Sequence, residues 1–139
     1  MIDSDYVSAD GHVVEPADLW VSRMDKRFRD RAPRIESGPE GDSYVIDGLI
    51  PFPVGLEGEV IEDKMKGKIE VMRGRRHAHT RPGAWDPKVR LADQSLDHVR
   101  AEVIYPGAFG LQFYYVKDAE YQRACIQTYN DWLSEFCSS

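Results

Sequence analysis

Asp10, Gly11 and His12 close a short β-prone run, and Glu15 follows three residues after the histidine in "VSADGHVVEP". Side chains alternate across a strand, so Asp10 and His12 project to one side if the strand runs that far. A carboxylate oxygen and an imidazole nitrogen converging there suit Zn, Mn, Fe or Ni. A catalytic zinc takes about three protein ligands and leaves one position to water. Glu15 is placed to be a further ligand or an acid/base group beside the metal. Taken alone, D-x-H-x-x-E is a low-specificity pattern, and it fits better an Asp and a His satisfied by hydrogen bonds at a strand end.

Other residues compete for chemical roles. His77 and His79 also form an H-x-H, but they follow "RGRR" rather than a β-prone run, so a mobile or surface loop is expected. The segment from Arg73 to Arg81 concentrates four arginines and two histidines. It reads as a solvated basic loop, with an anion site, for example one holding an anionic substrate, as the minority reading. His98, at the expected end of a helix, is assigned to the helix dipole rather than to a metal. Cys125 and Cys137 fall in one expected helix, where a rise of ~1.5 Å per residue separates them by ~18 Å. They cannot pair there and read as ordinary reduced thiols.

These residues need elements to hold them. A first strand is expected at about 5–12, turned by Pro16 into an insertion over about 17–85. Within it Asp18 can cap a turn bearing Leu19 and Trp20, and Pro33 limits continuation past Ala32. In "SYVIDGLIPF" the pair Asp47-Gly48 signals a two-residue hairpin turn. The stretch 57–74 reads as a short helix or strand pair. Asp86 caps and Pro87 opens a helix over about 87–99, where Val89, Ala92, Leu96 and Val99 recur at helical spacing. A buried strand follows at about 102–105, ended by Pro106. The clearest amphipathic helix spans about 119–136, capped by Asp118, with Tyr121, Ala124, Cys125, Tyr129, Trp132, Leu133 and Phe136 on one face. The order starts an alternating β/α array with a crossover between two parallel strands.

With 139 residues, 42% hydrophobic and 30% charged, the chain suits a single globular domain able to build a core. No apolar run is long enough to cross a bilayer, and the N-terminus lacks the features of a signal peptide, so a cytoplasmic protein is expected. A net charge of -6 argues against general affinity for nucleic acid or anionic membrane.

The stretch "SADGHVVEPADLWVSRMDKRFRDRAPR", with "WDPKVRLADQSLDHVRAEVIYPG" and "YNDWLSEFCSS", resembles the amidohydrolase 2 family of metal-dependent hydrolases, relatives of aminocarboxymuconate-semialdehyde decarboxylase. The resemblance spans nearly the whole chain and implies the N-terminal portion of a (β/α)8 barrel with a hairpin-containing insertion after the first strand. It implies that Asp10 and His12 are the first-strand metal ligands, with Glu15 as the catalytic neighbour. Many relatives carry two histidines at that pair; the aspartate makes the site harder, so zinc comes first with manganese or iron close behind. The activity implied is hydrolysis of a C–N or C–O bond in a small molecule through a metal-bound water, or decarboxylation at the same site. Such a barrel takes ~250 residues, so a fragment of a longer enzyme is expected, with later ligands outside this sequence. The alternative is a catalytically incompetent module that self-associates. Either way a homo-oligomer is expected, covering open strand edges or the Tyr121, Trp132, Phe136 face.

Overall fold

A computed structural model describes residues 6–55 and 74–138 of the chain. Tyr6–His12 forms β1, which pairs in parallel with Val99–Tyr105, β5 in chain order. Ser8 stands opposite Glu102, Gly11 opposite Ile104 and His12 opposite Tyr105. Between Ser8 and Gly11, β1 therefore uses one residue more than β5, an irregularity of the kind that re-aims neighbouring side chains. Parallel strands need a long crossover, and this one carries a second sheet and a helix.

The second sheet is antiparallel, in the order β2 (Arg34–Gly38), β3 (Gly41–Val45), β4 (Phe52–Pro53). Pro39 and Glu40 join its first two strands in a tight turn that the sequence reading did not anticipate. The hairpin expected at Asp47-Gly48 is present, but its connection runs over 46–51 rather than two residues. Leu49 N–H donates to the Ile46 carbonyl at 3.0 Å, and only Gly48, at φ +83°, takes the left-handed conformation. That is the signature of a type II turn, which leaves room for the chain to spread before β4. The strand or helix expected within 57–74 lies outside the described residues up to Arg73.

Around these sheets stand α1 (Leu19–Arg23), α2 (Pro87–Leu96), α3 (Ala108–Gln112) and α4 (Ala119–Cys137). Asp18 occupies the N-cap of α1 without a side-chain cap bond, and the short 3-10 helix Lys26–Arg31 ends just ahead of Pro33, as expected. Asp86 caps α2 by accepting from Lys88 and Val89 N–H, with Pro87 in the first turn. The helix stops at Leu96 instead of continuing to 99, because His98 turns left-handed at φ 56°, and Val99 begins β5 three residues earlier than expected. His98 thus lies in the turn that follows the helix.

The apolar stripe of α2 is not core. Val89, Leu91 and Leu96 are exposed, Leu96 by 77%. The helix meets the sheet through polar groups instead: Arg90 and Gln94 both donate to Glu102 Oε2 at 2.7 Å. The expected burial of "EVIYP" is also only partial, since Val103 and Tyr105 are exposed on the uncovered face of a two-stranded sheet.

The core lies between α4 and the insertion. Tyr121, Cys125, Tyr129, Trp132 and Phe136 are buried along α4, matching the amphipathic face read from the sequence, with Ala124 and Leu133 packed at its border. Asp118 caps the helix by accepting from Tyr121 N–H. Trp20 is fully buried, edge-on to Phe109 and Phe113 at 4.6 and 5.0 Å, and its indole N–H donates to the Cys125 carbonyl at 2.9 Å. Arg31 bridges Asp47 and Asp118 and lies over the Tyr121 ring. Tyr121, Trp132 and Phe136, the face expected to need a second copy, are thus buried in the chain's own core. Cys125 is buried, which pushes its thiol up to about 12, and Cys137 is exposed one helix length away.

Candidate functional site

Asp10 and His12 project to the same side of β1, with Asp10 Oδ1 3.5 Å from His12 Nε2. His12 Nδ1 lies 2.7 Å from the Pro106 carbonyl oxygen. A carbonyl can only accept, so Nδ1 donates to it, and Nε2 is the ring nitrogen left facing Asp10. Metal-ligating histidines are commonly fixed this way, by donating the other ring N–H to a carbonyl. Two donors about 2.0–2.1 Å from a tetrahedral ion stand ~3.4 Å apart, so the observed separation fits one edge of such a site. Among the described residues, no group of three or more His, Cys, Asp or Glu side chains is gathered to hold a metal ion. The pair supplies two donors.

The backbone beneath this pair is pinned from two sides. Arg90 Nη1 donates to the His12 carbonyl at 3.1 Å and to the Gly83 carbonyl at 3.3 Å, while its Nε holds Glu102. The Glu102 carboxylate lies where a side chain on residue 11 would begin, which is why glycine separates the two ligand-type residues. Burial raises the Glu102 carboxyl, but the Arg90 hydrogen bond and charge, with Gln94, outweigh it and hold the group below the usual range.

Glu15 is 1% exposed, and its Oε1 accepts from Gly107 N–H and Gly110 N–H, each at 3.1 Å. A carboxylate from the loop after β1 thereby caps α3, the helix after β5. Both glycines must stay bare: a Cβ on Gly110 would come within 2.7 Å of Glu15 Oε1, and one on Gly107 would meet the Val13 carbonyl. Tyr129 is buried nearby, and burial, then the Glu15 charge, push its hydroxyl upward. The sequence reading missed Gly107, Gly110, Arg90 and Glu102. A signal was available in "PGAFG", a glycine-punctuated turn directly after a strand.

The basic segment departs from a mobile, solvated loop. Asp42, buried in β3, accepts from Ser37, Arg76 and the His77 N–H. Burial raises its carboxyl, and these three bonds with the Arg76 charge bring it below the ordinary value. Arg81 pairs with Asp93, so two arginines of the segment already face carboxylates. His77 Nε2 lies 2.9 Å from the Glu15 carbonyl, which ties the segment to the loop after β1, and His79 is exposed. Arg73 lies outside the described residues.

No protein-family model matches the chain, and no curated protein matches it. Among solved structures, the chain is similar to an amidohydrolase from Mycobacterium avium subsp. paratuberculosis K-10, with a TM-score of 0.68 at 20% identity. The likeness covers 97% of this chain and 39% of that one, so this chain spans well under half the length of its structural neighbour. The two share an α/β fold over that stretch.

Proposed function

We propose that this chain carries the first-strand part of the active site of a metal-dependent hydrolase of the amidohydrolase 2 type. In this reading it is the opening portion of a (β/α)8 barrel, and Asp10 and His12 sit at the C-terminal end of its first strand, where barrel enzymes place their chemistry. The substrate is a small molecule cleaved at a C–N or C–O bond, and decarboxylation is the sister reaction at the same site. Asp10 Oδ1 and His12 Nε2 would hold a divalent cation, zinc first, manganese or iron next. Such an ion, when bound, lowers the pKa of a water toward ~7 and polarises the group under attack.

The chain's own residues present the donors. His12 turns Nε2 toward Asp10 because the Pro106 carbonyl accepts a hydrogen bond from Nδ1, Asp10 adds a hard oxygen 3.5 Å away, and Glu15 secures the loop that carries Pro106. The observation that carries the reading is the His12 ring, held through Nδ1 by the Pro106 carbonyl, with Nε2 facing a carboxylate. Elemental analysis of protein purified without chelator tests it. Bound divalent metal near one equivalent, lost in Asp10→Ala and in His12→Ala with the fold retained, is the expected result; metal-free wild type would overturn it for this polypeptide.

The alternative, an associating module, draws support from the exposed Val7, Val103 and Tyr105 of the two-stranded sheet and from Leu91 and Leu96 of α2. These surfaces suit a second copy of the chain or further barrel strands.

A further inference from the structure

The N–H of Gly107 and the C=O of Pro106 belong to one peptide group. Its N–H donates to Glu15 Oε1 at 3.1 Å, and its oxygen accepts from His12 Nδ1 at 2.7 Å, shorter than the usual N–H···O distance of about 2.9–3.0 Å. We propose that Glu15 is a positioning residue that acts on His12 through the Pro106–Gly107 peptide, setting the direction of Nε2 and its strength as a donor to a cation from a buried carboxylate that never meets substrate. This rests on reading Asp10 and His12 as a metal pair. It replaces the acid/base or ligand role expected of Glu15 with a carboxylate–peptide–histidine chain.

The physical basis is polarisation. A negative charge at the N–H end of an amide shifts electron density onto its carbonyl oxygen, which then accepts more strongly. Hydrogen bonds in such chains strengthen one another by roughly 10–30% per bond. A stronger acceptor at Nδ1–H leaves Nε2 a better donor to a cation, as when a carboxylate contacts a ligating histidine directly. The same contacts that cap α3 secure the geometry. Gly107 and Gly110 are bare, so the carboxylate reaches the backbone, and Glu15 itself is fully enclosed. His12 keeps its ring half exposed.

The test uses the full chain with Glu15→Gln and His12→Gln variants. In metal-free protein, nitrogen-detected imidazole spectra should show His12 protonated at Nδ1. In Glu15→Gln that proton should move upfield, and Co2+ affinity should fall 10- to 100-fold, the usual effect of losing a partner behind a ligand. The reverse direction is read in His12→Gln, a partly exposed position, where the Gly107 amide proton should move upfield and exchange faster. A folded Glu15→Gln with unchanged Nδ1–H resonance and Co2+ affinity would overturn the proposal. So would an unaltered Gly107 amide in His12→Gln, which decides the matter if Glu15→Gln fails to fold. Wild type that binds no Co2+ would sink the metal reading alone, since both amide and imidazole shifts are read without metal.

Discussion

At residue 11 a single hydrogen in place of a side chain lets Glu102 lie across β1 between Asp10 and His12. An alanine there would drive its Cβ into the carboxylate, and Glu102 cannot swing aside cheaply because Arg90 and Gln94 both hold Oε2 at 2.7 Å. Gly11→Ala should therefore cost about 1–3 kcal/mol, the range for overpacking a filled site. Urea unfolding measures it, and Gly11→Ala combined with Glu102→Ala should recover little, because Arg90 is then left largely buried without its carboxylate. The sequence displayed Asp10 and His12 plainly, since a period of two is all that is needed to put them together. It hid the reason for Gly11, because the atom that forbids a side chain comes from position 102 and reaches it only through pairing of β1 with β5.

Between elements, the joint of β3 with the 74–81 segment depends on charge. Asp42 accepts from Arg76, Ser37 and the His77 N–H, and its carboxyl lies below the ordinary value once burial is outweighed by those bonds. Glu102, under Arg90 and Gln94, is lowered in the same sense and joins α2 to the parallel sheet. A carboxyl whose folded pKa is depressed stabilises the fold above its unfolded value, near 3.9–4.3, and that contribution disappears as pH falls through the lower folded value. The urea midpoint is expected to be level near neutrality and to decline below about pH 4–5. Asp42→Asn should lower the neutral midpoint and flatten the acid decline. An unchanged acid profile in that variant would show that Asp42 is not a source of it.

Elements governed by local rules were readable. Asp86-Pro87 and Asp118 announce α2 and α4, and the stripe from Tyr121 to Phe136 names the buried face of α4 correctly. The apolar stripe of α2 gives the helix but not its packing, because periodicity shows that a helix has two faces and not which one its neighbour will take. Here the neighbour is Glu102, so the helix turns Arg90 and Gln94 inward and leaves Leu91 and Leu96 in solvent. The end of α2 was misplaced for a related reason: Val99 fits the helical period and the strand equally, and the left-handed turn at His98 decides between them.

For the whole molecule, the insertion supplies much of the core: Trp20, Met24, Tyr44, Ile46 and Val54 from it are among the most enclosed side chains. Their partners Phe109, Phe113 and Cys125 lie in the last third of the chain, beyond the reach of any local pattern. With Tyr121, Trp132 and Phe136 buried in the chain's own core, the open side of β1 and β5, with Val7, Val103 and Tyr105, and the outer face of α2 are, among the described residues, apolar surfaces open to association. Sedimentation at micromolar concentration should show a dimer or larger species that Val103→Asp shifts toward monomer. A folded monomer in the wild type would remove the associating-module reading. Among the described residues, no helix is long and apolar enough to cross a membrane.

The bond from His12 to Pro106 joins positions 94 apart in the chain. Ribosomes add about 5–20 residues per second, so roughly 5–20 s pass between the synthesis of these two residues. Throughout that interval the first strand has no parallel partner, its histidine has no carbonyl to fix the ring, and Glu15 has no glycine amides to meet. The residues that offer the donors are therefore made well before the residues that orient them, and β1 takes its paired form only after β5 and the loop behind it have been synthesised.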